Sequence, residues 1–437
     1  MSSRAPGPDR PREGSLPGAG RSAERGGEPG GGAPPGAPAS QEAPVRAARK
    51  DEHVELALRL HGQDRPNAFD DLSFMHHALA GTATAEADTS TTVCGARWEL
   101  PFYINAMTGG TPATTRINAD LAAAAAESGV AIACGSQHIA LSDPERAEGF
   151  RVIRRQAPRA FILANVGPAL APDQAVRAVE MLEADALQIH LNAAQEIVMP
   201  EGDRDFRDWP QQVAAIAEAV AVPVIVKEVG FGLSARTIAA LARLGVAGAD
   251  VAGSGGTDFI AIENERRPER GYSYLSGWGQ SAVLCLLEAL HGPSSPGVKA
   301  GSGGSGGTGS TVPGAVEGRV HLARTRGTGR ATTAPRGLEL LASGGVRHPL
   351  DVVRALALGA RAVGASGHFL RTLTGGGPEA LRRELDAWGE HLRSLMALLG
   401  ADDVEALRRT DVLVTGRTAE QARLLGIDLG ALARRSA

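Results

Sequence analysis

From residue 101 onward the chain alternates between two kinds of segment. Short apolar runs recur at Phe102–Ala106, Val130–Ala133, Ala160–Asn165, Ala186–Leu191, Val222–Val226, Ala249–Ala252, Leu338–Ala342 and Arg361–Ala365. Between them lie longer stretches with helical spacing, among them Thr114–Ser128, Pro172–Glu183, Trp209–Val220, Ser234–Leu244, Gln280–Leu290 and Pro349–Leu358. Continuous apolar runs this short predict strands buried on both faces, and alternation with helices predicts a parallel sheet. Eight alternations is the number that closes an α/β fold into a (β/α)8, or TIM, barrel. An open doubly wound sheet is the alternative that periodicity alone leaves standing.

The alternation itself breaks once, and the segments flanking it read differently. Residues 1–45 hold 10 Gly and 9 Pro with five acidic and five basic residues, a composition that cannot bury enough apolar area to offset backbone entropy. They are predicted to be a disordered extension before a barrel domain over 46–400. Residues 292–335 have linker composition and are predicted to be a flexible insertion between the sixth and seventh units, where loop closure costs little. Gly301–Gly306 matches GxGxxG by letter, but no strand precedes it and no helix follows, so it is no dinucleotide fingerprint. Residues 378–400 and 402–433 read as helices, the latter within a C-terminal helical tail over 401–437. Ahead of the barrel, RKDEHVELAL reads as a helix start, and FDDLSFMHHAL (69–79) is amphipathic with adjacent histidines facing different sides.

Composition narrows the field. The net charge of −4 argues against a chain built to coat nucleic acid or an anionic membrane. No apolar run reaches the roughly 20 residues of a membrane span, and no apolar core follows the N-terminal arginines as in a signal peptide. Cys94, Cys134 and Cys285 are far apart and form no CxxC, which fits a reducing cytoplasm with neither disulfide framework nor zinc site.

In a barrel the chemistry sits just after the strands. Those positions read AMTGG (106–110), GSQH (135–138), ANVG ending the third strand at Asn165, HLNAAQE (190–196), KEVG (227–230), AGSGGTD (252–258), SGGVR (343–347) and GASG (364–367). The glycine-rich members let backbone N–H groups approach phosphate, and the loops after strands seven and eight are where barrels often hold one. Thr257 and Ser366 add hydroxyl donors. Lys227 ends an apolar strand. It either pairs with Glu228 or another carboxylate, or meets an anionic cofactor ring or forms a Schiff base. Glu196 suits a hard cation such as Mg2+ bound through one carboxylate, or is a capping or salt-bridging glutamate. His190 alone reads as a core histidine; beside Asn192 and Gln195 it joins a ligand-facing cluster. Gln195 and Glu196 are read as part of an extended segment, which would turn them to opposite sides.

Taken in order, ARKDEH, AMTGG, GSQ, ANVG, HLNAAQE with PEGDR, VKEVGFGLS, AGSGGTDF with ENERR, WG (278–279) and ASGGVR with ALALGARAVG form a specific set. The chain resembles the flavin-dependent type 2 isopentenyl-diphosphate delta-isomerases from about residue 46 to 400. The resemblance implies FMN across the rim, held by Ala106, Met107, Thr108, Ser136, Asn165, Lys227 and Thr257. Gly344, Gly345, Val346, Ala365 and Ser366 would lie near its phosphate. It implies that Arg49, Lys50, Ser136, Gln137, His138 and Gln195 meet the substrate, that Glu196 anchors Mg2+, and that Gln195, His190 and Asn192 serve catalysis. The implied reaction interconverts isopentenyl and dimethylallyl diphosphate on FMN kept reduced by NADPH, in a cytoplasmic homo-oligomer, tetramer or octamer. Three positions depart from the family pattern: Ala252 replaces a common serine, QSA follows Trp278–Gly279, and the 292–335 insertion is extra.

A second flavin chemistry, 2-hydroxyacid oxidation, would need a His–Arg pair near strand seven. The segment before Ser343 is linker-like, with His321 inside it. A barrel that binds FMN or a prenyl diphosphate only as a sensor would have no use for the Gln195–Glu196 pair and the Arg49–Lys50 pair.

Overall fold

The computed structural model of the chain describes residues 39–60, 66–291 and 337–436, with side chains described from residue 50. The extension predicted over 1–45 lies outside the described residues except for the start of a helix, Ala39–Leu60, and the insertion predicted at 292–335 lies outside them.

Eight parallel strands close into a barrel in sequence order: β1 (Phe102–Ile104), β2 (Ala131–Ala133), β3 (Ile162–Val166), β4 (Ala186–Leu191), β5 (Val224–Glu228), β6 (Gly248–Asp250), β7 (Glu339–Ser343) and β8 (Ala362–Ala365). Closure is made by β8 against β1, pairing Val363 with Phe102 and Gly364 with Tyr103. Each strand falls within two residues of its predicted apolar run. The open-sheet alternative is excluded.

The apolar runs conceal an alternation that decides where the site is. Phe102, Ile104, Ile132, Ile162, Ala164, Leu187, Ile189, Val224, Val226 and Val363 face outward and pack with the surrounding helices. Tyr103, Ala131, Ala133, Leu163, Ala186, Ile225, Leu341 and Ala362 face inward and form a separate cluster. Two residues further along the inward face, that cluster gives way to Asn105, Asn165, Gln188, Lys227, Asp250 and Ser343, all buried. The barrel interior is therefore apolar at the strand N-termini and polar at their C-termini. A hairpin, Thr91–Val93 with Ala96–Trp98, plugs the apolar end by setting Trp98 edge-on to Tyr103 (5.7 Å between centroids) and tilted against Phe161 (5.1 Å).

The C-terminal region corrects one expectation. Residues 402–433 are not helical throughout: Val412–Val414 is a strand, antiparallel to Leu72–Phe74. Val-Leu-Val suits a pleated, half-buried surface, and the LSF segment inside the amphipathic 69–79 run supplies the partner. Helices Gly416–Leu424 and Leu429–Leu432 follow. The helical reading of 378–400 belongs to a longer element, Gly367–Leu398, broken where Gly377 adopts φ 78° before Pro378. His76 is exposed and His77 pairs with Asp411 at 3.0 Å, so the histidine pair stays at the surface.

Candidate active site

The floor of the site is the polar layer at the strand C-termini. Asp250, fully buried, accepts from Tyr103 OH at 2.7 Å, Asn105 Nδ2 at 3.1 Å, Ser343 Oγ at 2.9 Å and Ala252 N at 3.1 Å. Asn165 joins three neighbours: its N–H donates to Gln137 Oε1 at 2.9 Å, its Nδ2 to Gln188 Oε1 at 3.3 Å, and its Oδ1 meets His190 Nδ1 at 2.8 Å. His190 is held far toward the neutral form, its pKa lowered to about 3, first by burial and then by the charges of Lys227, Lys50 and His138. The residue is half-buried. Lys227 Nζ donates to Glu228 O at 2.7 Å. The Glu228 carboxylate faces away, taking the N–H groups of Val229, Gly230 and Phe231 on one oxygen. Burial nevertheless lifts its pKa to about 7.

One wall is two glycine loops packed backbone to backbone. A Cβ on Gly344 would stand 1.9 Å from Gly253 O, and one on Gly256 would stand 2.9 Å from Gly345 N, so neither loop tolerates a side chain at its contact. Asn67 ties them to the preceding segment: its Nδ2 donates to Gly345 O at 2.6 Å while its Oδ1 accepts from Phe69 N. Gly345→Ala, at φ 81° with Asn67 within 3.2–3.3 Å of the new methyl, is expected to cost about 1–2 kcal/mol of stability and to weaken flavin retention. Urea unfolding and flavin content of the purified variant check this.

The roof is the helix Ala39–Leu60. Lys50 reaches Ser136 O at 3.4 Å, and Asp51 accepts from Thr111 Oγ1 at 2.6 Å. His53, one turn on from Lys50, sets Nε2 3.0 Å from Glu263 Oε1. Arg266 pairs with Glu52 at 3.1 Å, Glu201 at 3.0 Å and with Glu263, joining roof, rim loop and the Phe259–Glu265 helix.

Glu263 is the centre of this network. It is fully buried and accepts from Gln195 Nε2 at 2.8 Å. Burial alone would raise its pKa, but His53, Gln195 and Arg266 outweigh that and bring it down to about 2. Gln195 and Glu196 sit on a short helix, Ala193–Val198, not on an extended segment. Adjacent residues there diverge by about a third of a turn rather than pointing oppositely. Gln195 faces Glu263. Glu196 accepts from Asn192 Nδ2 at 2.7 Å and Asp203 N at 2.8 Å, and Asn192 also donates to Gln195 Oε1 at 3.4 Å.

The remaining predicted residues fall as follows. Ala106 and Met107 are half-buried, Thr108 is buried, Ser136 is half-buried and His138 is exposed. Gln137 is fully buried with its amide spent on Asn165 N and Ala178 O, so its side chain is committed to the fold. Thr257 and Ser366 are half-buried at the rim, and Gly345, Val346 and Ala365 are buried beside Gly344. The side chain of Arg49 lies outside the described residues. Sequence reading passed over Asp250, His53, Glu263 and Arg266. The last two lie in the ENERR motif, and His53 shares a helix face with Lys50, which were the available signals.

Three observations fit an anionic flavin cofactor across these strand ends. The glycine loops form a cradle that any Cβ would fill. Among the described residues, Thr108 Oγ1 and Gln188 Nε2 are buried without a hydrogen-bond partner. The buried Lys227 ammonium spends one donor on a carbonyl, leaving capacity for an anion. No cluster of three or more His, Cys, Asp or Glu able to hold a metal occurs among the described residues. The cysteines are free thiols, each pushed up to about 12 by burial. No described helix is long and apolar enough to cross a membrane.

The family model described as FMN-dependent dehydrogenase matches residues 60–191 and 329–414 of this closed eight-stranded barrel, with its polar floor, glycine cradle and buried lysine. Solved structures of the same fold include a flavocytochrome b2 (TM-score 0.53, 17% identity, 84% of this chain and 83% of that one) and a mandelate oxidase (0.50, 17%, 86% and 97%). Much nearer in sequence are isopentenyl-diphosphate delta-isomerases. That of Kitasatospora griseola is 49% identical over 391 residues, covering 89% of this chain and 95% of that protein. Those of Nocardia farcinica (47%, 89% and 96%) and Latilactobacillus sakei (44%, 85% and 94%) follow. The chain belongs to the FMN-dependent isopentenyl-diphosphate delta-isomerase family, as its motifs led us to expect.

Proposed function

We propose that this enzyme moves the double bond of isopentenyl diphosphate to give dimethylallyl diphosphate, using reduced FMN, Mg2+ and NADPH as an external reductant. A proton leaves one allylic carbon, another is added at the far end of the alkene, and no electrons are gained or lost. Reduced flavin, when bound, supplies ring nitrogens able to exchange protons at a hydrocarbon that side chains seldom reach. Lys227 would set its charge against the flavin ring, and the glycine loops with Thr257 and Ser366 would receive the flavin phosphate. Arg49 and Lys50 neutralise the diphosphate from the roof, with Ser136 and His138 beside them. Glu196 offers one carboxylate which, with diphosphate oxygens and water, is a donor set that Mg2+ takes. Gln195, oriented by Glu263, fixes the alkene or the proton in transit.

The observation that carries this reading is the Gln195–Glu263 contact at 2.8 Å, a neutral amide oriented by a buried carboxylate. The oxidase alternative needs an arginine free to bind a carboxylate after β7. The arginine there, Arg347, is already paired with Asp70 and Asp351. In the deciding assay, enzyme with FMN and Mg2+ turns over isopentenyl diphosphate only after reduction by NADPH or dithionite, without consuming NADPH in proportion to product. Equal rates on oxidised flavin, or one NADPH spent per product, would overturn the mechanism. Oxidation of a 2-hydroxyacid would favour the alternative.

A further inference from the structure

We infer that Asp250, which the mechanism above does not use, is the positioning residue for Lys227: it is the counter-ion that keeps a compact ammonium in the barrel floor. Three independent features of the chain support this. The first is register. Lys227 on β5 pairs with Asp250 on β6, and His190 on β4 pairs with Lys227. Residues in register on neighbouring parallel strands project from the same side of the sheet at a spacing of about 4.8 Å. Ile225, two residues before Lys227, lies in the inward cluster, so this side is the barrel interior. Glu228, the other carboxylate near Lys227, is the adjacent residue on the same strand and therefore points out of that interior, where three N–H groups engage it.

The second feature is the chemistry of the Asp250 shell. Tyr103 OH, Asn105 Nδ2, Ser343 Oγ and Ala252 N can all donate to it, from β1, the loop after it, β7 and the loop after β6. Such a shell fixes the carboxylate rigidly, and leaves its charge to act on the ammonium in register with it. Burial works against the Lys227 ammonium, and Asp250 then Glu228 oppose that effect. The other charged or titratable groups turned toward this region are His190 on β4, Lys50 on the roof helix and His138 after β2, none of which favours a positive Lys227.

The third is composition. Of the 45 lysine and arginine residues only Lys50, Lys227 and Lys299 are lysine. Arginine serves nearly everywhere that a surface cation is wanted. Two of the three lysines fall at the cleft, where a planar guanidinium could not replace a small, strongly hydrated point charge. At Lys227 the neighbour that makes such a charge tolerable is Asp250. That the ammonium then faces flavin rests on the proposed function; the Asp250–Lys227 coupling does not.

With three lysines, biosynthetic labelling with ε-13C lysine gives a spectrum simple enough to titrate Lys227 in the full chain, assigned by loss of its signal in Lys227→Met. We expect Asp250→Asn to lower the Lys227 midpoint by about one pH unit or more, both with flavin bound and after its removal. Tyr103→Phe, which removes a donor and keeps the charge, should not lower it. An unchanged midpoint in Asp250→Asn overturns the inference. If Asp250→Asn does not fold, the double variant Lys227→Met/Asp250→Asn decides. Recovery of folding on neutralising both groups supports charge coupling, whereas failure of the double variant when Lys227→Met alone folds makes Asp250 a strand lock only and overturns the inference. The flavin-free titration stands whether or not the enzyme turns over isopentenyl diphosphate, so failure of one reading is distinguishable from failure of the other.

Discussion

Gln195→Ala is expected to lower kcat by about 100-fold or more while leaving flavin content and Tm close to those of the parent. The reason is its double anchorage. Nε2 donates to Glu263 Oε1 at 2.8 Å and Oε1 accepts from Asn192 Nδ2 at 3.4 Å, so the amide has one orientation before any ligand arrives. Truncation removes that preset group without disturbing the Arg266 ion pairs that hold roof and rim together. Glu263→Gln keeps the shape but removes the charge that selects the orientation, and should cost less in kcat, about 10-fold. Glu196→Gln separates the two neighbours: its effect should appear as a higher Mg2+ concentration for half-maximal rate and a raised KM, with kcat at saturating Mg2+ largely kept. Steady-state kinetics at several Mg2+ concentrations, alongside thermal melts, check the set. If Gln195→Ala lowered stability and left kcat and KM alone, Gln195 would be a packing residue and the proton-handling role would pass elsewhere.

The parts of this molecule that were legible in sequence are those written in local patterns. Apolar runs located all eight strands because strands buried on both faces admit few other residues. The positions after them located the glycine loops, Lys227, Asn192, Gln195 and Glu196, because a barrel puts its chemistry there. What stayed hidden depends on partners distant in the chain. Asp250 reads as the end of a buried strand until Tyr103 and Ser343, 147 and 93 residues away, are seen to donate to it. Glu263 lies in a quoted motif, yet its role follows only when Gln195 arrives from 68 residues earlier and His53 from the roof. Gln137 also has partners that local sequence does not show. The resemblance set it among the substrate contacts, and its amide is bonded to Ala178 O and Asn165 N, 41 and 28 residues away. The Val412–Val414 strand was missed because three residues give no periodicity, and its partner at Leu72–Phe74 lies at the other end of the chain.

His190→Gln should change how stability depends on acid. An ordinary histidine titrates near 6.5, and in the folded protein His190 is lowered to about 3. As pH falls below 6.5 the unfolded chain binds a proton there that the folded protein refuses, so this group's contribution to stability is lost with falling pH until about 3. Glu228 acts in the opposite sense. Raised from 4.5 to about 7, it keeps a proton in the folded state that the unfolded chain releases, so its contribution weakens as pH rises from 4.5 to 7. Glu263, lowered from 4.5 to about 2, adds acid lability only below 4.5. Between pH 4.5 and 6.5 the first two therefore oppose each other, and the parent curve should be nearly flat. Replacing His190 by a neutral amide that can still reach Asn165 unmasks Glu228, and the variant should gain stability as pH falls across that window. The stability difference between parent and variant should change by up to about 1.4 kcal/mol per pH unit, the limit for one proton. Urea unfolding of both proteins at half-unit steps from pH 7.5 to 4.5 reads this directly, with the other ten of the 11 histidines common to both. Parallel curves would mean that His190 titrates normally in the folded protein, and would remove the charge of Lys227 and the enclosure of the barrel floor as constraints on its ring.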